Sequence, residues 1–123
     1  DEALLLDENG SVAEGSGANF FFEQDKVLYT PPLGNILPGI TRETAMDIAR
    51  GLGYEVVEAY FPPEKVKGTD GAFFTGTAVE VAGIGLLDGN PFRLSWEETI
   101  GYQVAKAYQK LVRQPSTTKQ ETI

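Results

Sequence analysis

The sequence changes character at a proline–glycine pair, and this junction constrains the possible folds of the chain. Pro38 restricts its own φ, whereas Gly39 can adopt a wide range of φ. The backbone can therefore turn tightly before a helical pattern begins at about Thr41. Gly51 and Gly53 close that helix. The amides of its first turn have no intrahelical acceptors and lie at the positive end of the helix dipole. The junction therefore predicts a helix start that can bind a phosphate or a carboxylate.

Strand-like segments lie on both sides of this helix, and a second long helix follows near the end of the chain. Strands are predicted over 3–6, 11–13, 20–23, 27–30, 54–60, 71–75 and 79–87, with turns over 7–10, 24–26 and 88–91 and a short helix over 63–67. The second long helix is predicted from about Ser95, its N-cap, to about Val112. We expect one mixed α/β domain over 1–112 and a frayed tail over 113–123.

The composition of the 123 residues excludes several classes of function. A net charge of −8 argues against binding to nucleic acids or anionic membranes, and no apolar run reaches membrane-spanning length. Because the chain has neither cysteine nor histidine, thiolate nucleophiles, disulfides and histidine acid–base catalysis are excluded. We therefore expect a soluble, cytoplasmic protein with no metal site, no nucleic-acid partner and no membrane partner.

Three polar segments at strand ends and at the helix start can carry chemistry. Glu14 lies in a polar, glycine-rich loop predicted over 14–19, where a flat ligand can approach the backbone and the carboxylate can hold a cationic ring nitrogen. The helix start at Ile40 and Thr41 can bind an anion, and the strand end over 75–78 supplies hydroxyls and amides. Each segment also has an ordinary interpretation, as an exposed hairpin glutamate, a solvated helix end or a plain strand end.

Four motifs in this order resemble the fold-type IV (class IV) pyridoxal-phosphate aminotransferases. The motifs are Glu-Gly-Ser-Gly-Ala-Asn at 14–19, Leu-Tyr-Thr-Pro-Pro at 28–32, Leu-Pro-Gly-Ile-Thr-Arg at 37–42 and Phe-Phe-Thr-Gly-Thr-Ala-Val-Glu at 73–80. The resemblance covers about residues 3–112 and is stronger to branched-chain amino-acid aminotransferases than to D-amino-acid aminotransferase or aminodeoxychorismate lyase. It implies the large, C-terminal domain of that fold, with an irregular β-barrel core flanked by helices.

The resemblance implies a role for each polar segment in binding pyridoxal 5'-phosphate. Glu14 matches the carboxylate that pairs with the protonated pyridine nitrogen. The backbone amides of Ile40 and Thr41, and the hydroxyl of Thr77, match the groups that hold the phosphate. Asn19 matches a position near the cofactor.

The same resemblance implies the substrates and the assembly. The amides of Thr77 and Ala78 match groups that hold the substrate carboxylate. The implied reaction moves an amino group between branched-chain amino acids and 2-oxoglutarate, in a homodimer. A D-amino-acid aminotransferase or an aminodeoxychorismate lyase of the same fold is the alternative within the family.

The lysine that forms the Schiff base with the cofactor is expected upstream of Asp1. In the family it precedes the glutamate that Glu14 matches, whereas all the lysines of this chain follow Glu14. We therefore expect a C-terminal portion that is inactive without the N-terminal portion of the same protein. The remaining alternative is a non-catalytic domain that binds a phosphate ligand or a partner protein.

Overall fold

The computed structural model describes residues 4–6, 12–15, 18–32, 39–76, 80–87 and 89–112, the first two ranges by their backbone alone. The elements are β1 Leu4–Leu6, β2 Val12–Gly15, β3 Asn19–Gln24, β4 Val27–Thr30, α1 Ile40–Gly51, β5 Glu55–Glu58, α2 Pro63–Val66, β6 Gly71–Gly76, β7 Glu80–Gly83, β8 Leu86–Leu87, β9 Asn90–Pro91, a 3₁₀ helix Trp96–Glu98 and α3 Ile100–Val112. The predicted mixed α/β class is confirmed.

A five-stranded sheet with the order β5-β4-β3-β6-β7 organises these elements. Strands β4 and β5 are parallel and are joined by α1, whereas β3 is antiparallel to both β4 and β6, and β7 is antiparallel to β6. The carboxyl ends of β4, β5 and β6 therefore lie at one edge of the sheet, together with the first residues of β3 and β7. Helix α1 begins at this edge, which we call the site edge.

Strand β3 is buried on both faces, since its apolar side chains alternate between two cores. On one face Phe21 stacks on Phe73 with ring centroids 4.8 Å apart, and both long helices cover this pair. On the other face Phe20 packs against Phe74, beneath Phe61. Helices α1 and α3 thus both pack on the same face of the sheet, over its central strands. This packing fixes where each helix begins.

The second long helix begins later than the sequence predicts. Ser95 caps only the short 3₁₀ helix, through a capping box with Glu98, and α3 begins at Ile100. Between them Thr99 is extended, and the buried carboxylate of Glu23 accepts the amide of Ile100 at 2.8 Å. A local cap also marks the start of α3, because the hydroxyl of Thr99 accepts an amide of the first turn at 3.1 Å. The start of α3 therefore rests on this cap and on a contact from a distant strand, and only the second has no local signal.

The predicted strand over 79–87 is two strands, β7 and β8, with Ile84 and Gly85 between them. Gly83 ends β7 where the indole of Trp96 packs so closely that an added Cβ would lie 2.6 Å from a ring carbon. The predicted turn over 88–91 contains the short strand β9, which pairs with β8.

The predicted turn over 7–10 and the predicted tail over 113–123 lie outside the described residues. In the described part of the chain, no helix is long and apolar enough to span a membrane.

Two helix glycines make a matched test of the packing of α3. An added Cβ at Gly101 would lie 2.6 Å from Phe73 and 2.8 Å from Trp96, whereas at Gly51 it would meet nothing within 4 Å. Alanine is favoured over glycine inside a helix by about 1 kcal/mol, but overpacking a core costs about 1–3 kcal/mol. In urea unfolding we expect Gly101→Ala to lower the free energy of unfolding by about 1–2 kcal/mol. Gly51→Ala should leave it equal or higher, and a stabilised Gly101→Ala would contradict the described packing.

Candidate functional site

Helix α1 begins at the site edge without a capping side chain. Its N-cap residue, Gly39, is extended, with φ −141° and ψ 136°, and makes no side-chain cap hydrogen bond. The carbonyl of Gly39 accepts the amide of Glu43 at 3.1 Å, so the amides of Ile40, Thr41 and Arg42 precede the intrahelical ladder. These amides have no intrahelical acceptors and concentrate the positive end of the helix dipole. This helix start is therefore suited to an anionic ligand.

Asn19, the first residue of β3, lies directly against this helix start. Its side chain is buried, and an added Cβ at Gly39 would lie 2.7 Å from its Oδ1 atom. Thr41 is also buried, whereas the side chain of Ile40 is 88% exposed. The structure thus brings together three of the residues that the sequence analysis placed at the site, Asn19, Ile40 and Thr41.

The other end of β3 provides a direct contrast. Glu23 shares a face of β3 with Asn19, because side chains alternate along a strand, and its carboxylate accepts the first amide of α3. The protein therefore supplies its own anion to the start of α3. At the start of α1 the N-cap residue is Gly39, which has no side chain to cap the helix.

Two of the predicted site residues lie outside the described part of the chain, although their neighbours in the sequence lie at the site edge. Thr77 and Ala78 connect β6 to β7, whose ends Gly76 and Glu80 pair with each other at the site edge. Glu80 holds a φ of 57°, which is uncommon for a residue with a side chain.

Glu14 is described by its backbone alone. It belongs to strand β2 and pairs with Leu5, so the prediction that it lies in a loop is wrong. Strand β2 contacts β3, whose first residue is Asn19. Both ends of the polar, glycine-rich stretch over 14–19 therefore belong to strands, since β2 ends at Gly15 and β3 begins at Asn19.

Comparison with known proteins identifies the family. The family described as "Amino-transferase class IV" matches residues 1–87 of the chain. This chain belongs to the class IV aminotransferases. It is 41% identical, over 93% of its own length and 40% of the relative's length, to a probable branched-chain-amino-acid aminotransferase of Rickettsia felis. The chain thus spans about two fifths of the length of the curated relatives it matches.

Solved structures of branched-chain aminotransferases share the fold. The enzyme of Thermoproteus uzoniensis with norvaline matches with a TM-score of 0.84 and 41% identity, over 90% of this chain and 37% of that chain. The enzyme of Thermobaculum terrenum in its PLP-form matches with a TM-score of 0.85 and 35% identity, over 91% of this chain and 37% of that chain. The predicted family and fold are both confirmed.

Arg42 is a further residue of the site edge, and its burial was not predicted from the sequence. Helical spacing places Arg42 on the polar face of α1, but its side chain is only 1% exposed. Its guanidinium donates to the carbonyl of Pro31 at 3.1 Å and to the carboxylates of Glu43 at 2.8 Å and Glu58 at 3.3 Å. Pro31 and Glu58 are 11 and 16 residues away in the sequence, so helical spacing gives no signal of this burial.

One of the hydroxyls that the sequence predicts over 75–78 is buried at the site edge. Thr75 pairs with Asn19 across β3 and β6 and is fully buried. Within the described part of the chain, its Oγ1 atom has no hydrogen-bond partner. The site edge therefore carries an unpaired polar atom beside Asn19.

The burial of Glu23 makes stability depend on pH. Burial raises the pKa of Glu23 above its ordinary value of 4.5, the amide of Ile100 opposes that shift, and the carboxylate of Asp70 raises the pKa further. The folded state therefore binds the proton more tightly, and this contribution to stability is complete below pH 4.5 and is lost as pH rises through the raised pKa. Relative to Glu23→Gln, the wild type should lose free energy of unfolding as pH rises from 4.5 to neutrality.

Urea unfolding at a series of pH values measures this difference. Glu64→Gln removes an exposed carboxylate from α2 and controls for the loss of one charge. A wild type that gains free energy of unfolding relative to Glu23→Gln as pH rises would contradict the sign.

Proposed function

We propose that this chain is the cofactor-binding, C-terminal portion of a pyridoxal-phosphate-dependent branched-chain aminotransferase. The observation that carries the proposal is the uncapped start of α1, held against the buried Asn19 in a chain of this family. The start of α1 suits the phosphate of the cofactor. The phosphate oxygens would accept hydrogen bonds from the amides of Ile40 and Thr41, at the positive end of the dipole of α1.

The residues at the site edge fit a phosphate sterically as well as electrostatically. Since the N-cap residue of α1 is a glycine, an incoming anion displaces no N-cap side chain from the amides. Gly39 leaves the approach to these amides free of a Cβ atom, and Asn19 places a polar side chain beside them. A phosphate dianion bound there exchanges its water for charge-assisted hydrogen bonds.

The remaining assignments rest on the motifs and the family. The cofactor, when bound, supplies an electron sink for removal of the α-proton of an amino acid. Glu14 would keep the ring nitrogen protonated, Thr77 would add a hydroxyl to the phosphate, and the amides of Thr77 and Ala78 would hold the substrate carboxylate. The lysine of the Schiff base would come from upstream of Asp1, so the chain alone would be inactive.

The substrates that we propose are branched-chain amino acids and 2-oxoglutarate. The matching relatives and solved structures named above are branched-chain aminotransferases, which favours this assignment over a D-amino-acid aminotransferase or an aminodeoxychorismate lyase. We further propose a cytoplasmic homodimer. A non-catalytic, phosphate-binding domain is the alternative from another class.

Transamination by the protein expressed from its complete reading frame tests this proposal. With added pyridoxal 5'-phosphate, we expect L-leucine, L-isoleucine and L-valine to form glutamate from 2-oxoglutarate, while D-alanine does not. The 123-residue chain alone should show no turnover. Turnover of D-alanine in preference to L-leucine would overturn the substrate assignment, and the absence of any transamination would favour the non-catalytic alternative.

Two glycine variants show whether that activity depends on the start of α1. In Gly39→Ala the new Cβ would lie 2.7 Å from Oδ1 of Asn19, so either that side chain or the helix start must move. Overpacking of this size costs about 1–3 kcal/mol, and the same cost carried by the bound geometry corresponds to about a 5- to 150-fold loss of cofactor affinity. Gly51→Ala, at the other end of α1, should retain wild-type affinity.

A further inference from the structure

Arg42 connects the first turn of α1 to the ends of two strands. Its Nη2 atom donates to the carbonyl of Pro31, which follows β4, and to the carboxylate of Glu58, the last residue of β5. Because the guanidinium is planar and its donors are fixed, these bonds orient the turn that carries them. The N-cap residue Gly39 has no side chain to hold this end of α1, and the Arg42 contacts give it a polar side-chain anchor.

Arg42 also holds the acidic residue of that first turn. Glu43 is half-exposed and its Oε2 atom accepts from Nη1 of Arg42 at 2.8 Å. A carboxylate in the first turn competes with an incoming anion, because it is itself attracted to the free amides and repels a phosphate. The ion pair with Arg42 keeps the Glu43 carboxylate in a fixed place and neutralises its charge.

Stability alone is a poor explanation for this buried arginine. Its Nε atom is buried with no hydrogen-bond partner among the described residues. Removing a charge from water is costly, and a buried ion pair often contributes no more to stability than well-packed apolar side chains. An incompletely paired guanidinium at this position therefore points to a role in the geometry of the helix start.

We propose that Arg42 is a positioning residue for phosphate binding, which aims the first amides of α1 at the ligand and restrains the Glu43 carboxylate. Arg42 itself donates to Pro31, Glu43 and Glu58, so it acts through the amides of Ile40 and Thr41. This inference rests on the proposed function, since it concerns the same helix start.

The test compares two ligands that differ only in the phosphate. Dissociation constants for pyridoxamine 5'-phosphate and for pyridoxamine are measured on the protein expressed from its complete reading frame. In Arg42→Lys, which keeps the charge but loses the planar fork, we expect the phosphate ester to bind about tenfold more weakly or worse, with pyridoxamine unchanged. Arg50→Lys, on the exposed last turn of the same helix, is the matched control and should bind both ligands as the wild type does.

Restoration of affinity by a second substitution distinguishes the two parts of the role. If the released Glu43 carboxylate competes with the phosphate, Glu43→Gln in the Arg42→Lys background should recover about half of the lost affinity on a logarithmic scale. Glu58→Ala, which leaves Arg42 in place but removes one of its acceptors, should weaken the phosphate ester by about two- to fivefold. Its control is Glu55→Ala, an exposed residue of the same strand.

The possible outcomes separate this inference from the proposed function. If wild type binds both ligands equally, the proposed function fails and the inference fails with it. If wild type prefers the phosphate ester but Arg42→Lys binds it normally, or loses both ligands equally, only the inference is overturned. Should Arg42→Lys not fold, the Glu58→Ala and Glu55→Ala pair decides, and equal affinities of these two variants for the phosphate ester would overturn the role.

Discussion

Burial of β3 on both faces is the constraint on which the rest of the structure depends. The stacked pair of Phe21 and Phe73 fixes the sheet surface on which α1 and α3 lie. Because side chains alternate along a strand, the same face of β3 presents Asn19 at one end and Glu23 at the other. The position of each helix start therefore follows from one strand, and the two polar residues of that strand meet the two helix starts.

The two helix starts then differ in a way that separates structure from function. At α3 the carboxylate of Glu23 accepts a hydrogen bond from the first amide, and burial raises the pKa of this carboxyl. At α1 the protein places a neutral amide side chain, a glycine without a Cβ and a buried arginine that pairs with the nearby acid. The first arrangement closes a helix end, and the second leaves amides for a ligand that carries negative charge.

Much of the fold could be predicted from periodicity, because the strands over 20–23 and 71–75 and the helix from about Thr41 are strongly apolar on a regular spacing. The motifs identified the family and predicted Asn19, Ile40 and Thr41 as site residues, which the structure places next to one another. The contact of Glu23 with the start of α3 and the burial of Arg42 could not be predicted, since both depend on partners distant in the sequence. The local cap of α3, Thr99, carries an ordinary sequence signal that the prediction placed at Ser95 instead. A local sequence pattern does not show which polar residue will be buried by a contact with a residue distant in the sequence.

The most direct measurement is the amide ¹⁵N chemical shift at both helix starts as pyridoxamine 5'-phosphate is added to the protein. A phosphate site at the start of α1 predicts large, saturable shifts for Ile40 and Thr41, and none for Ile100, whose amide already donates to Glu23. Pyridoxamine without its phosphate should leave Ile40 and Thr41 unchanged. Shifts at Ile100 as large as those at Ile40 and Thr41, or no shift at the start of α1, would contradict a phosphate site at this helix.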